Sequence, residues 1–276
     1  MHDLLIPSTP PDQAHGLRRL FAQAGARLVP VVSNPHMAFG GVLLERLCSA
    51  LAEQGARTLL VDASEGAPAA DELAVMGLAE CIDALSPDVS YLAARTLPLR
   101  YVDTHGSTAP FLQAVLDAAP QADVVLVHAG ASELSRLFAR QTLATQVRPL
   151  LLAGDHPVSV THAYASMKLL ALRARLMVFH LVLGAAPTSP RAERIAAQLA
   201  RCADTFIGAL LQDWAQVDPA SPAAETPPPG LARLARTMLL PPPAAGALPN
   251  SSCPPFDTAV MPAAAWPGGG YAQALN

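Results

Sequence analysis

The sequence predicts an α/β fold, a doubly wound and mostly parallel sheet flanked by helices. Three observations carry that prediction. Strand-like runs alternate with amphipathic stretches of helical period along most of the chain. The strand-like runs, such as RLVPVVS and ADVVLVHAG, are apolar without alternation, as expected of parallel strands buried on both faces. Half of the 276 residues are hydrophobic (51%) and only 14% are charged, enough core for one large domain or two small ones.

The elements follow in order. Residues 1–11 are Pro-rich and read as extended or disordered. DQAHGLRRLFAQA (12–24) reads as a short helix that Asp12 can cap, with Leu17, Leu20 and Phe21 along one face and Gly25 as its stop. RLVPVVS (27–33) is a strand, VLLERLCSALAEQG (42–55) a helix closed by Gly55, and RTLLVDA (57–63) a strand. DELAVMGLAECIDAL (71–85) reads as a helix or a helix pair. Strands are expected at 122–130, 148–155 and 175–186, and helices at 132–145, 159–174 and 190–208. Beyond about residue 215 the rhythm stops. Residues 218–229 read as a Pro/Ala/Glu-rich linker, 230–240 as a basic amphipathic helix, and 241–276 as a disordered Pro/Ala/Gly-rich tail. The predicted organisation is therefore 1–25, an N-terminal extension; 26–217, the α/β domain; 218–240, linker and short helix; and 241–276, the tail.

Composition excludes several classes. A net charge of −4 gives no basic face for nucleic acid. Cys48, Cys81, Cys202 and Cys253 are scattered, with no zinc-like spacing, and read as free thiols in a reducing compartment. MHDLLIPSTPP lacks the pattern of a secretory signal, and no apolar run reaches the roughly 18 residues of a membrane span. The expected location is the cytoplasm. Lys168 is the only lysine of the chain.

Several segments together carry a family resemblance. They are DQAHGLR (12–18), SNPHMAFGGVLL (33–44), RTLLVDASEGAP (57–68), DVVLVHAGAS (123–132), GDHPVSVTHAYASMKLL (154–170) and LVLGAAPTSPRAERIAAQL (181–199). Over about residues 12–240 they resemble the FlhG (FleN) flagellar regulators of the MinD/ParA-like P-loop ATPases. The resemblance implies a MinD/SIMIBI-like fold. It also implies that Asp12, Gln13, Ala14, Leu17 and Arg18, which match the family's D-Q-A-x-x-L-R helix, bind the GTPase FlhF and stimulate its GTP hydrolysis. A Gln or an Arg in such a helix is chemically suited to that task. The other use of the segment is as an amphipathic cap on its own domain.

The nucleotide site departs from the family's pattern. In x-K-G-G-V-G-K-T, Pro35 and Gly40 stand at the two lysine positions. His36, Met37 and Phe39 replace glycines, and Gly41 replaces the Thr that ligates magnesium. A Cβ obstructs close approach of phosphate to backbone N–H groups, and no lysine remains to neutralise its charge. Asp62 matches the first Asp of the second-strand motif, with Ser64 at the second Asp. His128 replaces the switch Asp, and magnesium prefers oxygen ligands. Gly184 stands near the position of the base-reading Asn, and Lys168 matches a helix-surface position.

The resemblance so altered implies a pseudo-ATPase that uses no cofactor, where active relatives use ATP and magnesium. It implies a monomer, or a dimer that does not need ATP. The expected function is non-catalytic regulation of FlhF and hence of flagellar placement or number. The alternatives are an ATPase with an unorthodox phosphate loop, or a scaffold for a flagellar transcription activator or a motor-switch protein. The 230–240 helix, with Arg233 and Arg236 as its only cations, would hold a membrane weakly at most. It reads as either a remnant anchor or a helix packed on its own domain.

Overall fold

The computed structural model describes residues 26–70, 77–139, 147–222 and 224–240. The 12–24 helix with Asp12, Gln13, Ala14, Leu17 and Arg18, and the 241–276 tail, lie outside the described residues.

Eight strands form one sheet: β1 (Arg27–Val32), β2 (Thr58–Asp62), β3 (Ile82–Ser86), β4 (Val89–Ala93), β5 (Val124–Ala129), β6 (Leu150–Gly154), β7 (Val178–Gly184) and β8 (Leu210–Val217). Their spatial order is β3-β4-β2-β5-β1-β6-β7-β8. Every pairing is parallel except β3 with β4. Among the described residues six α-helices accompany them: α1 (Gly40–Ala52), α2 (Pro110–Ala118), α3 (Ala131–Phe138), α4 (Pro157–Ala174), α5 (Ala192–Ile207) and α6 (Pro229–Leu239).

The sheet is covered on both faces. On one face Val29, Val31, Leu126, Leu152 and Val182 meet the apolar sides of α1 and α6. On the other, Val32, Val125, Val127, Leu151 and Leu181 meet α2 to α5. The alternation along each strand supplies both cores, which is why the strand sequences show no polar side. Pro30 sits within a central strand, where a missing N–H would normally break a ladder. It is tolerated because the β1–β6 ladder begins only at Val31↔Leu150.

The 71–85 expectation is corrected over its described part. A single 3-10 turn, Leu78–Cys81, leads into β3, which turns through Pro87-Asp88 into β4. The helix-forming composition of 77–85 yields to strand pairing, Ile82↔Leu92 and Asp83↔Tyr91. As an outermost strand, β3 is short, mostly exposed and bulged, features that blunt an open edge.

Helix α2 and strand β8 lie where no element was expected. β8 continues the sheet past β7, and α6 then packs back beside α1 with Leu231, Leu234, Ala235 and Met238 buried at i, i+3, i+4, i+7. Arg233 holds α6 to β8: Nη2 donates to Asp213 Oδ1 (2.8 Å) and the Trp214 carbonyl (3.0 Å). Of the two readings of this helix, packing on its own domain is what is observed. Arg46, only 2% exposed on α1, donates through Nη1 to the carbonyls of Pro222 (3.0 Å) and Glu225 (2.6 Å). The 218–229 segment is thereby tied to the body. No helix among the described residues is long and apolar enough to cross a membrane.

Candidate functional site

The parallel strands β1, β2, β5, β6 and β7 end on one edge of the sheet, the edge where open α/β sheets take ligands. The loop from β1 to α1 (33–39) crosses it. Asn34, 7% exposed, anchors that loop. Its Nδ2 donates to the Leu152 carbonyl (3.0 Å), the Ser159 carbonyl (3.0 Å) and Ser159 Oγ (2.9 Å). Its Oδ1 accepts from the His36 N–H at 3.2 Å, which sets the turn. Ser159 Oγ in turn accepts from Gly154 N–H at 2.9 Å. Asn34 and Ser159 have the donors and acceptors of a structural clasp between β1, β6 and α4.

After the turn, Pro35 and His36 are exposed, Met37 is buried and Phe39 is half-buried. The Phe39 ring lies over the ends of β6 and β7. A Cβ placed on Gly184 would collide with Phe39 Cε2 and stand 3.0 Å from its Cζ; one on Gly154 would stand 3.1 Å from Cζ and 3.8 Å from Met37 Cγ. The two glycines thus form a floor on which an aromatic ring of this chain rests. Gly40 and Gly41 open α1, whose first turn has no side-chain cap, and Gly41 faces open space.

His36 meets His162 of α4 edge to face, with ring centroids 5.4 Å apart. Burial, and secondarily the nearby His36, hold the His162 imidazole below its ordinary pKa. It therefore favours the neutral form.

Asp62 and His128 lie opposite each other in the β2–β5 register. His128 Nδ1 is 2.9 Å from Asp62 Oδ1, which also accepts from the Ser64 N–H at 3.1 Å. Burial alone would raise the Asp62 pKa. The hydrogen bond and charge of His128, with the bonds from Ser64, outweigh it and leave the carboxyl below its ordinary value. Tyr91 beside it is pushed up to about 12, by burial first and then by the Asp62 charge.

Two clusters therefore emerge from the sequence-derived positions. Pro35, His36, Met37, Phe39, Gly40 and Gly41 form the loop with Gly184 beneath it. Asp62 and His128 form a closed pair. Among the described residues no group of three or more His, Cys, Asp or Glu side chains has the arrangement to hold a metal. Asp62 is the one carboxylate of the pair, and its Oδ1 is engaged by His128 and Ser64. In this loop Pro35 and Gly40 stand where the resembled motif has lysines, Gly41 stands where it has Thr, and Phe39 covers Gly184 and Gly154. Lys168 lies exposed on α4. Sequence reasoning passed over Asn34, Ser159 and Tyr91; an Asn directly after a buried strand was the one signal that could have marked the clasp.

No family model matches the sequence, and no curated protein does. Solved structures do. The chain is similar to the MinD cell division protein of Aquifex aeolicus, with a TM-score of 0.53, 13% identity, and 78% of this chain and 97% of that chain covered. It is similar to cobyrinic acid a,c-diamide synthase of Mycobacterium smegmatis, with a TM-score of 0.53, 11% identity, and 78% and 94% covered. That synthase has also been solved with bound ADP and magnesium. Such identities establish the architecture alone. The chain has the fold of the MinD/ParA-type P-loop ATPases.

Proposed function

We propose that this chain is a non-catalytic MinD-like regulator of the FlhG type, which binds the FlhF GTPase through residues 12–18 and tunes its GTP turnover. Flagellar placement or number is then the process it controls. The observation that carries the non-catalytic half is the Phe39 ring seated on Gly184 and Gly154. It places a side chain of the chain itself over the floor next to the altered phosphate loop. The Asp62–His128 pair supports the same reading, because an imidazole, a poor magnesium ligand, stands against the Asp62 carboxylate. The partner half is supported by the intact DQAHGLR sequence.

Two measurements test the halves separately. Calorimetric titration of the full chain with ATP and magnesium is expected to give no saturable heat; micromolar binding would restore the reading of an ATPase with an unorthodox loop. Single-turnover GTP hydrolysis by purified FlhF is expected to accelerate with the chain and to lose that acceleration with Gln13→Ala. Equal turnover with and without the substitution would remove the activator role.

One observation favours a second reading, the scaffold. A groove of about 680 Å³ lies between α4 and α5, lined by Val160, Ile195 and Leu199 together with Arg191 and Arg194. Its size and mixed lining suit a partner segment. Pull-down of a flagellar transcription activator or motor-switch protein after deletion of residues 1–24 separates the two. Retention assigns the partner to the α/β body, and loss assigns it to the N-terminal segment.

A further inference from the structure

A second, polar cavity of about 290 Å³ lies away from the sheet edge described above, lined by His105, Gly106, Ser107, Ser135, Arg136 and Arg173 with Ala139. Its walls come from three elements: the 102–109 loop, α3 and the last turn of α4. The protein is acidic as a whole, yet two arginines and a histidine line this one cavity.

The loop is built to hold this shape. Asp103 Oδ1 accepts from the N–H groups of His105 (2.9 Å) and Ser107 (2.8 Å), and Gly106 takes a φ of +75°, where a side chain would be strained. The Asp103 carboxylate is thus engaged with its own loop. Ser107, 8% exposed, accepts at Oγ from the Ala109 N–H (3.2 Å), which leaves its hydroxyl hydrogen available to donate. Among the described residues, neither Arg136 nor Arg173 has a hydrogen bond or ion pair to a carboxylate; Glu133, one turn from Arg136, feels that guanidinium's charge, which offsets part of the rise that burial causes in its pKa. Both arginines stand in the last turns of their helices, where a cation complements the helix dipole. That explains a cation on each helix. It does not explain why the two line one cavity together with a serine hydroxyl.

We propose that this cavity binds a phosphate monoester. A planar carboxylate is served by donors from one side, whereas a phosphate dianion presents three terminal oxygens and takes donors from several directions. The three walls supply them: Arg136 from α3, Arg173 from α4, and Ser107 with His105 from the loop. The volume leaves room for a small organic group beyond the phosphate. The site is independent of the phosphate-loop positions and of the FlhF reading.

The test is calorimetric titration of the full chain at pH 7.5 with inorganic phosphate and, separately, with glycerol 3-phosphate. The monoester is expected to bind saturably. Arg136→Gln and Arg173→Gln are each expected to weaken it by about tenfold or more, as loss of a charge-assisted hydrogen bond does. The double variant is expected to abolish binding, and Arg201→Gln, on the exposed side of α5, to leave it unchanged. Both target arginines are exposed, so the variants should keep the wild-type melting temperature, which checks their folding. Absence of saturable binding, binding of inorganic phosphate without the monoester, or affinity untouched by the double variant would each overturn the proposal.

Discussion

Gly184 has no side chain, and the ring of Phe39 lies where one would stand. The pair is a lock of opposite sizes across two elements distant in sequence, the β1–α1 loop and the end of β7. Gly184→Ala should destabilise the protein by about 1–3 kcal/mol, the usual range for overpacking. Phe39→Ala should remove most of that penalty, so that a double-mutant cycle by urea unfolding gives a coupling above about 0.5 kcal/mol. Additive single effects would mean that the ring does not occupy that space in solution. A second prediction concerns Asp62. With His128→Ala the carboxyl loses its hydrogen bond and charge partner, and its pKa should rise, read by carboxyl-carbon NMR titration. An unchanged titration would show that Ser64 alone holds it down.

At the scale of elements, α1 and α6 form one layer, and Arg46 joins them to the segment between β8 and α6. The stem of Arg46 packs among apolar neighbours while Nη1 reaches the Pro222 and Glu225 carbonyls. Arg46→Met keeps the volume and removes those bonds. The expected result is a loss of about 1–3 kcal/mol and faster amide exchange across 218–229, with exchange in β1 and β5 unaltered. Leu234, fully buried on α6, should cost about 2–5 kcal/mol when cut to Ala. A near-neutral Leu234→Ala would show that α6 docks only loosely.

At the scale of the whole molecule, stability should fall on acidification in two windows. His180 on β7 is 1% exposed, and burial, then the charge of Arg148, lower its pKa to about 4 from the ordinary 6.5. The unfolded chain therefore binds a proton before the folded one does. Stability from this group is full above pH 6.5 and is lost as pH falls toward 4, a difference of about 3 kcal/mol. Asp62, also depressed, adds a further loss below its ordinary value of 3.8. Urea unfolding at pH 7 and pH 4.5 checks the first window: His180→Gln should flatten the difference. A pH dependence identical to wild type would assign the acid sensitivity elsewhere.

Long apolar strands and long amphipathic helices were legible because their periods persist for many residues. β1, β2, β5, β6, β7, α1, α4 and α5 all lie within a few residues of their expected places. The misses are short or lie toward the sheet's margins. β3 and β8 carry exposed polar residues and β4 is a five-residue strand only partly buried, so their strand character comes from the neighbour they pair with rather than from their own composition.

By itself the sequence determined the alternating α/β order, the buried parallel sheet, and the absence of any lysine from the loop between β1 and α1. These are properties of residue type and spacing along one chain. Tertiary structure alone decided that Phe39 rests on Gly184 and Gly154, that His128 closes on Asp62, and that Arg136 and Arg173 line one cavity. Each joins residues far apart in sequence, and their distances are set by strand register and helix packing, which no local pattern encodes.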